Sequence, residues 1–272
     1  IDAIRTPFGN FGGTLKDIRT DDLAAIPLRE LVSRNNINPS NINDVILGCA
    51  NQAGEDNRNI ARMALLLAGL PYSVPGETIN RLCASGMSAI INAHRAIKAG
   101  DGDLFISGGI ENMTRGPWVI SKASKAFGRD AKMYDSSFGW RFINPKMKEM
   151  YGVDGMGTTA ENLADKFNIS REDQDKFAFY SQQKAYQAQK SGRLAEEIVS
   201  VEIPQKKSNP ILFEHDEFIK GGTSLEILSK LRTAFKKDGG TVTAGNASGL
   251  NDGAAAMLLA SENGIKENNL TP

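Results

Sequence analysis

The sequence has 272 residues, of which 40% are hydrophobic and 24% are charged, so it can bury a sizeable core. Its 32 basic residues balance its 32 acidic residues, and we therefore expect no nucleic-acid partner and no attraction to an anionic membrane. The longest apolar runs, such as residues 63–68, are too short to span a bilayer.

The first seventy residues predict alternating helices and strands. Residues 1–7 have no signal-peptide pattern. Because they lack an initiator Met, a targeting segment removed from the front of the chain is an alternative. Residues 21–35 have apolar side chains at helical spacing, interrupted by Pro27, which predicts a kink or the start of the helix. Residues 45–47 indicate a short buried strand, and residues 57–69 indicate another helix.

The clearest pattern is a strand, a helix and a second strand. Glu77–Leu82 is predicted to be extended, Ser85–Ala99 to be helical, and Leu104–Ser107 to be a buried strand closed by Gly108 and Gly109. Such a unit has a right-handed crossover, which implies a parallel sheet and an α/β fold.

Residues 115–240 are polar and Lys-rich with few strand patterns, and they predict an insertion carried on the sheet domain. Within it, Ser170–Asp173 resembles a capping box that opens a long helix, which Gly192 should end. Strand patterns resume at residues 241–243 and 254–260. We therefore divide the chain into residues 1–114, residues 115–240, and residues 241–272 as the start of a second α/β half.

Cys83 is the strongest candidate for chemistry. It lies at the predicted junction of strand and helix, where free amide groups and the helix dipole stabilise a thiolate. The small residues Ala84, Ser85 and Gly86 would let a substrate approach the sulfur. The alternative is a buried structural cysteine, and we prefer that reading for Cys49, which ends an apolar strand. Neither cysteine has metal-type spacing or indicates a disulfide framework, so we expect no metal and a reducing, cytoplasmic setting.

Neither histidine is a convincing base for Cys83. His94 lies eleven residues further along the same helix, which separates the two by about 16 Å, and it continues an apolar stripe that predicts a packed or partly buried position. His215 lies in an acidic segment typical of an exposed loop. The Gly- and Asn-rich loop 243–253 matches neither a P-loop nor a dinucleotide fingerprint.

Five segments, in order along the whole chain, resemble sequence blocks of the thiolase family. They are Arg5–Gly9, Asn80–Gly86 around the nucleophilic cysteine, Gly108–Met113, Gly155–Asn162 and Asn246–Gly253. The resemblance implies two similar α/β halves in a five-layered αβαβα fold, with the first half complete, a loop domain inserted in it, and the second half truncated. It implies that Cys83 attacks the 3-keto carbonyl of a 3-oxoacyl-CoA and holds an acyl group that coenzyme A then removes.

Two stretches, residues 49–59 and 139–145, resemble the 3-oxoadipyl-CoA thiolases of aromatic-acid degradation within that family. Such a substrate would need a cation for its distal carboxylate, and Arg58, Arg81 and Arg141 are the candidates. A general acetyl-CoA acetyltransferase is the alternative, although Gly155 stands where short-chain acetoacetyl-CoA thiolases have a histidine.

The resemblance also implies a surface for coenzyme A, which would be a substrate rather than a tightly bound cofactor. Lys220 would lie near the phosphate and adenine end, and Phe235 would pack on the ligand. Met147 and Met156 would flank the acyl end, and the pantetheine path would be lined by Ala244, Ala247, Ser248 and Leu250. For each residue, ordinary loop packing is the alternative. The family also implies a homodimer or a homotetramer.

The second catalytic set of the family, a Gly-His-Pro histidine, an Asn-Glu-Ala-Phe asparagine and a Cys-x-Gly cysteine, is not among these residues. We therefore expect it in a longer chain. One alternative function is not enzymatic: a truncated product that binds CoA thioesters without catalysis. Another is a decarboxylating condensing enzyme, which the five thiolase blocks argue against.

Overall fold

The structure, a computed structural model, describes residues 1–272. Its strands are β1 (Asp2–Arg5), β2 (Gly9–Asn10), β3 (Asp44–Gly48), β4 (Gly76–Ile79), β5 (Leu104–Asn112), β6 (Trp118–Ile120), β7 (Met133–Asp135), β8 (Val201–Ile203), β9 (Ile211–Phe213) and β10 (Asn251–Ala260). Its helices are α1 (Thr20–Arg34), α2 (Ile60–Leu67), α3 (Ser85–Ala99), α4 (Pro145–Tyr151), α5 (Met156–Phe167), α6 (Arg171–Lys190), α7 (Leu225–Ser229) and α8 (Glu262–Glu267). No helix is both long enough and apolar enough to cross a membrane.

The chain folds into two compact units. The first comprises Ile1–Gly116, Leu194–Glu217 and Asn251–Pro272, and the second comprises Pro117–Arg193 and Phe218–Leu250. Residues 194–217, which fall in the polar stretch after residue 115, thus belong to the first unit.

The first unit is built on one mixed sheet with the strand order β1-β10-β5-β3-β4, and β2 pairs with β10. β3 is parallel to both β4 and β5, which confirms the predicted strand–helix–strand unit and places β3 between its two strands. β10 is antiparallel to β1 and β5. The strand expected to open a second α/β half is therefore an inner strand of the first sheet. The pattern of one strand shows which face is buried but not which neighbour it pairs with.

The two faces of this sheet are covered by different helices. α1 and α2 pack against Val45, Leu47 and Ile106, whereas Ile46 and Phe105 point to the opposite face and pack against α3. Successive residues of a strand point to opposite faces, so both faces of β3 and β5 are apolar and buried. α1 runs past Pro27, which therefore does not mark its start.

β5 does not end where the sequence suggested. It continues through Gly108 and Gly109 to Asn112, so the prediction that this glycine pair closes the strand is wrong. A Cβ on Gly108 would overlap the carbonyl oxygen of Ala255 in β10, and one on Gly109 would lie 2.9 Å from the carbonyl oxygen of Gly48 in β3. The glycines are needed because neighbouring backbones come close at this point.

α3 presents small residues, not its apolar stripe, to the sheet. Ser88, Ala89 and Ala93 are buried, whereas Met87 and His94 are exposed. The prediction of a packed or partly buried His94 is therefore wrong. Only small side chains allow the helix to approach strands whose own residues are glycines at Gly48 and Gly108.

The second unit contains α4 to α7 and the hairpin of β6 and β7. The Ser170 side chain caps α6 by accepting a hydrogen bond from the Asp173 N–H, and Gly192 follows the helix with a φ of 82°, which confirms the predicted start and stop. Residues 241–243, in contrast, form no strand, and only an isolated bridge joins Thr243 to Thr233.

Candidate active site

Cys83 lies on a sharp turn between β4 and α3, and its side chain is exposed. The residue before it, Leu82, has a φ of 50°, a left-handed conformation that is unfavourable for a residue with a Cβ. Two backbone hydrogen bonds close the turn, from the N–H of Ala84 to the Arg81 carbonyl (3.1 Å) and from the N–H of Ser85 to the Leu82 carbonyl (3.0 Å). Strained turns persist only where surrounding contacts determine them, and such turns cluster at functional sites.

Two polar side chains hold this turn in place. The Ser85 hydroxyl accepts a hydrogen bond from the Arg81 N–H (2.8 Å) and donates one to the Leu82 carbonyl (2.6 Å). The Asn80 side chain accepts a hydrogen bond from the Leu82 N–H (3.0 Å). The N–H and the carbonyl of Leu82 are thus both hydrogen-bonded. These bonds oppose a change of its φ and so hold the turn that exposes Cys83.

Close packing against the sheet fixes the start of α3. A Cβ on Gly48 of β3 would overlap the backbone of Ser85 and Gly86, and a Cβ on Gly86 would lie 3.6 Å from the Gly108 carbonyl oxygen of β5. Cys83 therefore stands just before a helix N-terminus seated directly on the parallel strands. This location provides backbone N–H groups and a favourable dipole for an anionic sulfur.

The two histidines do not supply a partner for Cys83. His94 is an exposed residue of α3, about 16 Å along the helix axis from the turn. His215 is exposed two residues after β9, as its acidic surroundings indicated. The Cys83 thiol makes no hydrogen bond.

Cys49 is buried at the end of β3, which confirms its structural interpretation. Burial, reinforced by the nearby carboxylates of Glu111 and Asp56, raises the pKa of the Cys49 thiol. Ligand atoms of these three residues lie within 4.8 Å of one another. The carboxylates are already used, however, because Glu111 accepts hydrogen bonds from the N–H groups of Ala50 and Asn51, and Asp56 accepts them from Gln52 and Gly54. The cluster therefore fastens the loop after β3.

In the second unit, one aromatic side chain that the sequence analysis missed, Phe218, contacts both a coenzyme A candidate and the loop that carries four others. The Lys220 ammonium lies 5.7 Å from the centre of the Phe218 ring, and Gly249 packs against the same ring. Lys220 is thus brought to the loop that carries Ala244, Ala247, Ser248 and Leu250. An aromatic residue two positions before the lysine was the only sequence signal for Phe218.

Phe235 and Met156 form a second part of this surface. The Phe235 ring is half exposed and packs against Gly157, the residue after Met156, which is itself exposed. The N–H of Ala234 donates to the Val242 carbonyl (2.9 Å), which joins this part to the start of the loop. Met147 is an exposed residue of α4.

The loop carrying these residues is held from beneath by two buried carboxylates. Glu161 of α5 accepts hydrogen bonds from the N–H groups of Thr241 and Val242, and Asp175 of α6 accepts one from the Asn246 amide (2.9 Å). Although burial alone would raise it, these hydrogen bonds hold the pKa of Glu161 below its usual value. A fixed loop with exposed small side chains and a free Ser248 hydroxyl can pack against an extended ligand and donate a hydrogen bond to it.

The three arginine candidates differ in their surroundings. Arg58 and Arg81, in the first unit, are exposed and have no ion-pair or hydrogen-bond partner for their guanidinium groups. Arg141, in the second unit, is half buried and donates to the Ser136 carbonyl at 3.1 Å. Arg81 is two residues from Cys83.

Comparison with known proteins identifies the family. A family model described as "Thiolase, N-terminal domain" matches residues 1–263. The chain is 58% identical over 272 residues to the 3-oxoadipyl-CoA/3-oxo-5,6-dehydrosuberyl-CoA thiolase of Escherichia coli strain K12, covering 100% of this chain and 68% of the relative. It is 56% identical over 268 residues to a beta-ketoadipyl-CoA thiolase of Acinetobacter baylyi, covering 98% of this chain and 67% of the relative.

A solved structure agrees with these relatives. The crystal structure of human mitochondrial 3-ketoacyl-CoA thiolase in complex with CoA superposes with a TM-score of 0.88 at 38% identity, covering 99% of this chain and 66% of that one. The chain thus spans about two thirds of the length of the proteins it matches. On the match of 263 residues and the identity to full-length relatives, the chain belongs to the thiolase family.

Proposed function

We propose that the protein is an acyl-CoA C-acyltransferase that cleaves 3-oxoadipyl-CoA with coenzyme A, yielding succinyl-CoA and acetyl-CoA. The observation that carries this proposal is the exposed Cys83 on a strained turn at the start of α3. The substrate is chosen because relatives named for 3-oxoadipyl-CoA or beta-ketoadipyl-CoA are 56–58% identical, whereas a probable acetyl-CoA acyltransferase of Staphylococcus aureus is 45% identical.

The proposed reaction has two transfers. The Cys83 thiolate attacks the C3 carbonyl, the C2–C3 bond breaks, and its electron pair stays on C2 of acetyl-CoA, which takes up a proton. The succinyl group remains on Sγ as a thioester. The sulfur of a second coenzyme A, losing its proton, then attacks that thioester, and Cys83 leaves as a thiolate. The family resemblance implies a histidine and a second cysteine as the groups that would exchange these protons.

We propose that the second unit supplies the binding surface for coenzyme A. Lys220 would pair with a phosphate, Phe235 would pack on the ligand, and the loop 244–250 would run along the pantetheine, with Met147 and Met156 toward the acyl end. The exposure of these side chains, apart from the partly buried Ala247, and the fixed loop support this assignment. Coenzyme A is a substrate here, and no tightly bound cofactor is required for the two transfers.

We also propose a cytoplasmic homodimer or homotetramer. A nucleophilic thiol works in its reduced form, and both cysteines are free. β4 is an edge strand of the main sheet, so its outer backbone groups are available to a second copy. Light scattering of the purified protein would measure the assembly.

Peptide mass spectrometry tests the function. The purified protein is incubated separately with 3-oxoadipyl-CoA and acetoacetyl-CoA, with Cys83→Ala as the control. We expect a succinyl adduct on Cys83 from the first substrate and none in the variant. An acetyl adduct from acetoacetyl-CoA alone would favour the acetyl-CoA acetyltransferase, and no adduct from either would favour a CoA-thioester-binding protein without catalysis.

A further inference from the structure

A chain of hydrogen bonds connects a carboxylate of β5 to the turn that carries Cys83. It starts at Glu111, whose two carboxylate oxygens accept hydrogen bonds from the N–H groups of Ala50 (2.8 Å) and Asn51 (3.1 Å). The carbonyl oxygen of Ala50 accepts a hydrogen bond from the Asn80 side-chain amide at 3.0 Å. The same Asn80 side chain, through its oxygen, binds the N–H of Leu82 at 3.0 Å.

The middle of this chain is a single rigid group. The carbonyl of Ala50 and the N–H of Asn51 belong to one peptide unit, which is planar and points them in opposite directions. Glu111 holds one side of this plane and Asn80 holds the other. A displacement on the Glu111 side is therefore passed to Asn80 without being absorbed by a backbone torsion.

The connection continues the sheet at the point where its regular pairing stops. The last ladder bond between β3 and β4 is donated by the Cys49 N–H to the Ile79 carbonyl at 3.0 Å. Beyond it, the Asn80 side-chain amide makes the next contact between the two segments, by donating to the Ala50 carbonyl. Asn80 is an exposed residue, yet both ends of its amide are bonded, which sets the position of Leu82 in its unfavourable conformation.

We propose that Glu111 and Asn80 are positioning residues for Cys83, acting through the Ala50–Asn51 peptide plane to hold the nucleophile turn. This inference rests on the proposed function for its catalytic part, because it takes Cys83 as the acylated residue. Neither residue needs to touch the substrate. Each acts through the N–H of Leu82, which the Asn80 side chain binds, while Ser85 binds the Leu82 carbonyl.

Substitutions can break the chain at separate links. Asn80→Asp keeps an acceptor for the Leu82 N–H but removes the donor to Ala50, whereas Asn80→Ala removes both. Glu111→Gln keeps the size of the side chain but sets its NH2 group against a backbone N–H. The matched control is Asn43→Ala, because Asn43 also binds two backbone N–H groups of the first unit, those of Asp103 and Leu104, at the opposite strand ends.

Two measurements, one of which does not depend on activity, test the proposal. Hydrogen exchange should become at least fivefold faster at residues 80–85 in Glu111→Gln and Asn80→Asp, but not in Asn43→Ala. The rate of Cys83 acylation by 3-oxoadipyl-CoA should fall at least tenfold through kcat, with KM changed less than threefold. The double variant Asn80→Asp with Glu111→Gln should be no slower than the slower single variant, because both act through one peptide plane.

The possible failures are distinct. Unchanged exchange at residues 80–85 in Glu111→Gln, or multiplicative rate losses in the double variant, would overturn the positioning role. A different outcome is that hydrogen exchange at residues 80–85 is faster in the variants than in the wild type while no 3-oxoacyl-CoA acylates Cys83. In that case the positioning role of the hydrogen bonds stands and the proposed function fails.

Discussion

The backbone of Ser85 at the start of α3 touches Gly48 of β3 so closely that a Cβ on Gly48 would overlap it. This contact fixes the start of the helix against the sheet, two residues after Cys83. Gly48→Ala should therefore push the helix start away and destabilise the protein by about 2–3 kcal/mol, as overpacking does in other cores. Denaturant unfolding would measure it.

The matched variant is Gly86→Ala, whose Cβ would meet the Gly108 carbonyl at an ordinary contact distance of 3.6 Å. Because alanine favours helix more than glycine, this variant should be as stable as the wild type or up to about 1 kcal/mol more stable. Equal losses in the two variants would contradict the close contact of Gly48 with Ser85.

The two cysteines should differ sharply in reactivity. Cys83 is exposed, whereas Cys49 is buried and its pKa is raised by that burial. Iodoacetamide at neutral pH should alkylate the folded protein once, at Cys83, and should alkylate both cysteines in guanidinium chloride. Intact mass and peptide mapping would show this, with Cys83→Ala as the control that stays unmodified when folded. Modification of Cys49 in the folded protein at a comparable rate would disprove its buried position.

The conformation of Leu82 can be tested by changing its backbone preference. Leu82→Gly removes the penalty of a positive φ but adds the entropic cost of ordering a glycine. The stability of this variant should therefore stay within about 1 kcal/mol of the wild type. Leu82→Val introduces a β-branched residue at the same φ of 50° and should cost about 1–2 kcal/mol. Thermal unfolding of the pair gives the comparison. A valine variant as stable as the glycine variant would argue against the left-handed conformation.

Glu161 should make the stability of the second unit depend on pH. Its folded-state pKa is lowered by hydrogen bonds from Val242 and Thr241, which outweigh the opposing effect of burial. The stabilisation is therefore fully present above the unfolded pKa of about 4.3 and is lost as pH falls through the lower folded value. Glu161→Gln should cost about 1–3 kcal/mol at pH 7.

Hydrogen exchange at the Thr241 and Val242 amides would report this loss locally. The difference in stability between Glu161→Gln and the wild type should shrink as pH falls through the lowered folded-state pKa of Glu161, because the wild-type carboxyl becomes protonated. Asp165→Asn, which removes an exposed ion pair with Lys236, is the control and should change stability by less than about 1 kcal/mol. A difference that is constant with pH would exclude the ionised carboxylate as its cause.

Arg81 should contribute to recognition of a dicarboxylate acyl chain. It is exposed, its guanidinium has no partner, and it lies two residues from Cys83. A charge-assisted hydrogen bond is worth about 1.5–3 kcal/mol, so Arg81→Ala should raise KM for 3-oxoadipyl-CoA by about tenfold or more, and leave KM for acetoacetyl-CoA nearly unchanged. Arg58→Ala, another exposed and unpaired arginine, is the comparison. An equal change of KM for both substrates would mean that Arg81 does not bind the distal carboxylate.

The sequence by itself determined the elements whose cause is local. The α3 range Ser85–Ala99, the strand at residues 45–47, the Ser170 cap and the Gly192 stop all follow from spacing and capping within a few residues, and the structure confirms them. The five ordered blocks along the chain likewise determined the family, because recognising them needs no knowledge of contacts.

Only the tertiary structure decided the relationships between distant segments. The place of β10 inside the first sheet, the packing of the small face of α3, and the link from Glu111 to Asn80 each join residues far apart in the chain. A strand pattern shows which face is buried, and a helical stripe shows which residues are apolar. Neither specifies the partner, because pairing and close packing depend on which backbones come near one another in space.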